Sequence, residues 1–303
     1  MLPKPTGYLA LFVGLLTGLS CGCNPGGALK ISNAAPVTMR RTFAEGETEK
    51  YISEMKMTQT SPIQTATPGA GMSDITVTSD SDQKVEKVAA DHKSADVTIK
   101  QSNFKFESKP DISAMMSSMV PKESTSKATI DDRNMMKLTM DANAMKSNPM
   151  AGFGAMFMQG LTDKPIPNGI ALPEAPVKPG DTWNTPYTML EMIGATGDIK
   201  NTYVGESSLD GKDVYQIKFE GHFPLGQTPA KAPSGSNPLG GLLSNIKGQI
   251  DITGEAFLDK SNCAIVSILT STKNHMIMPN MMNKTAAPVT MDQNISISMK
   301  QAK

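Results

Sequence analysis

Along much of the chain apolar side chains fall at every second position. Tyr51/Ser53/Met55/Met57, Met136/Leu138/Met140, Tyr215/Ile217/Phe219, Ile246/Gly248/Ile250/Ile252 and Ile295/Ile297/Met299 each line one side of an extended segment, and that period predicts half-buried antiparallel strands. Three segments carry a helical period instead. Ser108 and Pro110 open a predicted helix with Ile112, Met115, Met116, Met119 and Val120 on one stripe and Pro121 at its end. Asn237 and Pro238 open a second, striped by Leu239, Leu242, Leu243 and Ile246, and Asn148-Pro149 open a third, with Met150, Phe153, Phe157 and Leu161 on one face before Lys164-Pro165. Each has a capping residue or a proline at its start, where the first N–H groups lack helical partners. Stretches 59–73 and 224–237, rich in Pro, Thr, Ser and Gly, predict long exposed loops. Strands outnumber helices, so the expected class is α+β and β-rich.

The pattern repeats within the chain. Phe43-Ala44-Glu45-Gly46-Glu47-Thr48 matches Val177-Lys178-Pro179-Gly180-Asp181-Thr182, each an acidic glycine turn opening a strand. Asp91-His92-Lys93-Ser94-Ala95-Asp96-Val97-Thr98-Ile99 matches Leu209-Asp210-Gly211-Lys212-Asp213-Val214-Tyr215-Gln216-Ile217, and Lys127-Ala128-Thr129-Ile130-Asp131-Asp132-Arg133-Asn134-Met135 matches Glu255-Ala256-Phe257-Leu258-Asp259-Lys260-Ser261-Asn262-Cys263. Hairpin turns reuse Asp-Gly and Asp-x-x-Asn for backbone reasons, so one such match means little; three in the same order point to duplication. The expected fold is therefore a duplicated antiparallel sheet or half-barrel unit with short helices packed on it. The first repeat is read over 37–145, a helix and linker over 146–176, and the second repeat over 177–303.

The amino terminus reads as an address. Lys4, the apolar run Tyr8 to Leu19, and Ser20-Cys21-Gly22-Cys23 have the layout of a secretory signal, and a run this short falls below the roughly 20 residues that a spanning helix needs. A small residue directly before a cysteine resembles the bacterial lipoprotein cleavage site, which makes Cys21 or Cys23 the candidate lipidated residue, 1–20 the signal and 21–36 a flexible tether. The resemblance implies a lipid anchor in the cell envelope, facing the periplasm or the exterior.

Segments of the body carry a second resemblance. The acidic glycine turn, the run Leu172-Pro173-Glu174-Ala175-Pro176-Val177-Lys178-Pro179-Gly180-Asp181-Thr182-Trp183 and the hairpin Gly254-Glu255-Ala256-Phe257-Leu258-Asp259 together resemble an uncharacterised family of bacterial secreted lipoproteins. More loosely, a curved antiparallel sheet with helices on one side is similar to the lipoprotein-carrier fold, whose members shelter acyl chains. That likeness implies an apolar cavity and assigns no functional residue.

Charge and chemistry narrow the function. Lys+Arg and Asp+Glu both total 29, which argues against a nucleic-acid partner. The motifs G-x-x-x-x-G-K-[ST], G-x-G-x-x-G and H-E-x-x-H are absent from the sequence and G-x-S-x-G occurs only as Gly18-Leu19-Ser20-Cys21-Gly22, at the end of the signal-like segment rather than at a strand-to-helix turn; His92, His222 and His275 are far apart, so neither an enzyme nor a cofactor is expected. What stands out is methionine, 23 residues of it. An unbranched thioether fills irregular apolar space and adapts to varied guests, so Met115, Met119, Phe153, Phe157 and Leu242 are the candidate lining of a cavity for a lipid or other apolar ligand. The cluster His275-Met276-Ile277-Met278-Pro279-Asn280-Met281-Met282 offers a different chemistry. Thioethers and imidazole suit Cu(I), so His275, Met276, Met278 and Met282 are a candidate metal site. Three readings follow: an envelope lipoprotein holding an apolar ligand, an envelope structural or interaction domain without a small ligand, and a periplasmic Cu(I)-binding protein.

Overall fold

A computed structural model describes residues 35–60, 74–109, 122–139, 164–193, 195–226, 246–278 and 287–302. Twelve strands are present among them: β1 (Thr48–Thr60), β2 (Asp74–Val88), β3 (Ser94–Lys109), β4 (Glu123–Asp131), β5 (Met135–Thr139), β6 (Ile166–Pro167), β7 (Thr182–Pro186), β8 (Asp198–Leu209), β9 (Lys212–Leu225), β10 (Lys247–Asp259), β11 (Ile265–Met278) and β12 (Val289–Gln301). They form one sheet in the order β6-β5-β4-β3-β2-β1-β12-β11-β10-β9-β8-β7, antiparallel at every junction. The chain runs from the centre to one edge through β1–β6, starts again at the other edge, and returns to the centre at β12. The result is one β-rich half-barrel rather than two separate sheets.

The alternation in the sequence becomes the two faces of this sheet. On β1, Tyr51, Ser53, Met55 and Met57 are buried while Ile52 is 54% exposed. Met55 pairs with Ile297 and Met57 with Ile295 on β12, and with Val77 and Ile75 on β2, so like faces like across the ladder. These six residues make one buried apolar cluster. The larger core lies over β8–β12 and gathers Tyr203, Ile217, Phe223, Leu258 and Ile268, with Met39 and Leu172 supplied from outside the sheet. Those two come from residues 35–47 and 164–181, which pack against this core. The connection is held by the Val37–Val177 bridge, by the Leu172 N–H donating to the Arg133 carbonyl at 2.9 Å, and by the Trp183 Nε1–H donating to the Ala171 carbonyl at 2.9 Å.

The two halves use the same hydrogen bonds. Gly46 and Gly180 sit at φ 83° and 94°, a conformation that strains any residue with a Cβ. The Gly46 N–H donates to the Val85 carbonyl at 2.9 Å and the Val85 N–H returns to the Glu47 carbonyl at 2.8 Å; the Gly180 N–H donates to Tyr203 at 2.7 Å and the Tyr203 N–H returns to Asp181 at 3.0 Å. Register breaks follow at Val85/Lys87 and at Tyr203/Gly205. The cross-strand row Val85-Val97-Ala128-Leu138 thus corresponds to Tyr203-Ile217-Ala256-Ile268. The first and third sequence matches fall on corresponding strands in the alignment expected. The second is displaced, because the ladder places Val97 opposite Val85 as Ile217 stands opposite Tyr203, two positions beyond the Tyr215 that the match sets against Val97. The hairpin arms explain this: 12 positions separate Val85 from Val97 but 14 separate Tyr203 from Ile217, because β8 and β9 run further beyond this row before the Asp210-Gly211 turn.

The α component of the expected class is corrected. Among the described residues the only helix is a short 3-10 segment, Thr188–Ile193, where no helix was expected, and its Leu190, with Tyr187, packs against the main core. Ser108, expected to open the first helix, lies within β3, and Ile246 leads directly into β10. The remaining residues of the three predicted helices lie outside the described residues. The loop expectations at 59–73 and 224–237 are trimmed in the same way, since Gln59 and Thr60 complete β1 and Pro224 and Leu225 complete β9.

Candidate functional site: the inner face of the half-barrel

The buried face of the sheet differs in character between its halves. In the second, Trp183-Asn201-Phe219-Gly254 and Thr185-Ile199-Gly221-Ile252 form adjacent cross-strand rows. The Phe219 ring occupies the space a side chain at Gly254 would take, and Phe223 does the same at Gly221 and Gly197. An aromatic ring laid over a strand glycine fills the gap in the pleated surface. Tyr187 adds to the stack, its ring centroid 5.5 Å from that of Phe223. This half is a mainly aromatic and aliphatic interior, with a buried polar pair in which the Asn201 amide donates to Thr185 Oγ1 at 3.0 Å.

The corresponding rows of the first half are Glu49-Gln83-Ile99-Ser126 and Tyr51-Ser81-Gln101-Ser124. Where the second half carries Ile199, Gly221 and Ile252, the first carries Ser81, Gln101 and Ser124. Ser53, Ser79, Ser81 and Gln83 are all buried. Small hydroxyl side chains fill little volume, and buried hydroxyls and amides need hydrogen-bond partners.

Through Glu49 and Tyr51 these rows meet a buried ionic group. Arg41 and Glu49 are each 5% exposed and pair through Arg41 Nη2 and Glu49 Oε1, while the Tyr51 hydroxyl donates to Glu49 Oε2 at 2.7 Å. Burial, and then the neighbouring Glu49 carboxylate, hold the Tyr51 hydroxyl well above the ordinary tyrosine range. The Arg41 ring neighbour is Phe43, 5.3 Å from the guanidinium to the centroid. Arg41 Nη1 is buried with no hydrogen-bond partner among the described residues.

The residues expected from the sequence are distributed as follows. Met115, Met119, Phe153, Phe157 and Leu242, the expected cavity lining, lie outside the described residues, as do Cys21, Cys23 and Met282. His275 and Met276 are consecutive on β11 and face opposite ways: Met276 is 8% exposed and belongs to the core, while His275 is exposed with its Nδ1 2.6 Å from Asp292 Oδ1. The strand therefore does not bring this imidazole and this thioether together. Met278 ends the same strand. His222 forms a second surface pair, Nδ1 2.6 Å from Asp251 Oδ1, and His92 sits in the β2–β3 turn at φ 57°. Cys263 is buried, with its thiol pushed up by desolvation. Among the described residues no three or more His, Cys, Asp or Glu side chains cluster as a metal site, and no described helix is long and apolar enough to cross a membrane.

Sequence reasoning missed the polar inner face. On β2 every second residue from Ile75 to Val85 is buried, but Ser79, Ser81 and Gln83 interrupt the apolar alternation. The alternation of Asp74, Thr76, Thr78, Asp80 and Asp82 on the outer side was the available signal.

Comparison with known proteins adds little to this geometry. No protein-family model and no curated protein matches the chain, so the likeness to secreted lipoproteins rests on the quoted segments. Among solved structures the chain is similar to one described as "Lipid-protein interactions in lipovitellin", with 9% identity and a TM-score of 0.42. The match covers 86% of this chain and 25% of that one, so the chain spans about a quarter of its length.

Proposed function

We propose that the chain is a non-enzymatic lipoprotein of the bacterial cell envelope, anchored through a lipid on Cys21 or Cys23, whose half-barrel holds an apolar ligand in a methionine-rich interior. The observation that carries the ligand reading is where the described methionines lie. Met39, Met55, Met57, Met276 and Met299 are all buried, and four of them are spread over β1, β11 and β12 rather than gathered at one point. Thioether side chains re-pack around guests at little cost, and each buried methylene of an acyl chain contributes roughly 0.8 kcal/mol. The anchor reading is supported by the sequence of residues 1–23.

Mass spectrometry of the full chain made in a bacterial host tests both parts. Loss of the signal with an acyl adduct on Cys21 or Cys23 is expected, and an unmodified amino-terminal peptide would end the anchor reading. Under native conditions the chain is expected to retain lipid or to take up methyl laurate. Absence of bound lipid together with no uptake would end the carrier reading and favour a structural envelope domain.

A further inference from the structure

We propose that the inner face of β1–β3 beside Arg41 is a head-group subsite, and that the ligand is a neutral amphiphile whose head bears hydroxyls. The inference rests on the carrier reading above and specifies its ligand. Three observations carry it. First, the corresponding positions in the two halves differ in kind: Ser81 and Gln101 stand where Ile199 and Gly221 stand in the second half. A face needed only for packing has little use for Ser79 and Ser81, at 3% and 7% exposure, because each hydroxyl removed from water needs a partner. Second, the polar patch adjoins an apolar one on the same face. Val77 lies two residues from Ser79 on β2 and belongs to the cluster with Met55, Met57 and Ile295, so a head on the patch would place its chain on the methionines. Third, the buried Arg41 Nη1 has a donor to offer.

Charge decides which head. The Arg41 guanidinium is already matched by Glu49, so a carboxylate or phosphate placed there would leave a net buried negative charge, which is costly. A hydroxyl or ester oxygen accepts the free N–H with no such penalty, and its own hydroxyl protons find acceptors in Gln83 and Gln101. A glycerol or sugar head on an acyl chain meets these requirements.

Titration calorimetry of the purified full chain separates the possibilities with three probes that share one acyl chain: 1-monolauroylglycerol, laurate at pH 8, and methyl laurate. The glycerol ester is expected to bind at least about tenfold more tightly than either of the others, a margin of one to two hydrogen bonds. Ser81→Ala and the near-isosteric Gln101→Met should each weaken the glycerol ester by about threefold to tenfold and leave methyl laurate unchanged. Equal or tighter binding of laurate, or variants that shift all probes alike, would overturn the subsite while leaving the carrier reading intact. Failure of all three probes to bind would overturn both.

Discussion

Phe219 and Gly254 are paired across β9 and β10, and the phenyl ring lies where a side chain at 254 would have to go. A Cβ at Gly254 would collide with the ring and with the Leu269 carbonyl oxygen, and the carbonyl is backbone that cannot step aside. Gly254→Ala is therefore expected to destabilise the fold by about 1–3 kcal/mol, and Phe219→Ala by about 3–5 kcal/mol through the cavity it leaves. Combined, the two should fall short of their sum, because removing the ring relieves part of the clash. Urea unfolding followed by the fluorescence of Trp183, the single tryptophan, reads all three values. Strict additivity would count against the packing described.

Gly46 and Gly180 offer a cleaner comparison. No atom lies within 4 Å of a Cβ built at either, so alanine there meets only the backbone penalty of positive φ, about 1–2 kcal/mol. Equal losses, within about 0.5 kcal/mol, are expected from Gly46→Ala and Gly180→Ala, with additivity in the double variant. A large difference in denaturation midpoints would mean that the two turns are not equivalent.

The Arg41–Glu49 pair is buried deeply enough that losing one partner should matter more than losing both. Glu49→Leu leaves a buried guanidinium uncompensated and is expected to cost about 3–5 kcal/mol. Adding Arg41→Met should recover a substantial part of that loss. A double variant as unstable as the sum of its parts, measured by chemical denaturation, would contradict the pairing.

Alkaline pH should act through the tyrosines. All four described tyrosines, Tyr51, Tyr187, Tyr203 and Tyr215, have hydroxyls raised by burial, that of Tyr187 to about 12. A raised folded value means that the folded chain keeps protons the unfolded chain has lost. The stability they confer is whole below the ordinary tyrosine value of about 10 and declines above it, by up to about 1.4 kcal/mol per pH unit for the deeply buried Tyr51 hydroxyl and by less for the partly buried Tyr215. Tyrosinate absorbance should consequently appear together with the loss of β-sheet circular dichroism as pH rises from about 10 to 12. Ionisation of these groups with the sheet intact would refute it.

Strand identity was legible where burial and hydrophobicity coincide, as in Tyr51/Ser53/Met55/Met57 and Ile295/Ile297/Met299, since a period of two is a local property. Strand order was not. Nothing in either segment names its partner, and the β1–β12 ladder joins parts of the chain as far apart as Gln59 and Gln293, 234 residues in sequence, whose side-chain amides bond at 2.9 Å. β2 escaped because the residues it buries are serines and a glutamine, so its burial alternates while its hydropathy does not. The repeat was visible in Gly46 and Gly180 because positive φ restricts residue choice. It slipped in the β2–β3 match because hairpin length is free to vary. The candidate site was less legible than the fold, for its polar residues become unusual only when their burial is known.

The pairing of β1 with β12 also sets a timetable. β1 is synthesised before the other described strands of the sheet, yet one whole side of it waits for residues 289–301 before its backbone groups find partners. The centre of the sheet is closed by the pairing most distant in sequence, and the entropy of closing that loop must be met before the ladder rewards it. Folding should accordingly be slow and late, with β1 and β11 left as two long unpaired edges in any chain that stops before β12. Such edges recruit other strands, so premature termination within the last strand would yield aggregation rather than a slightly smaller domain.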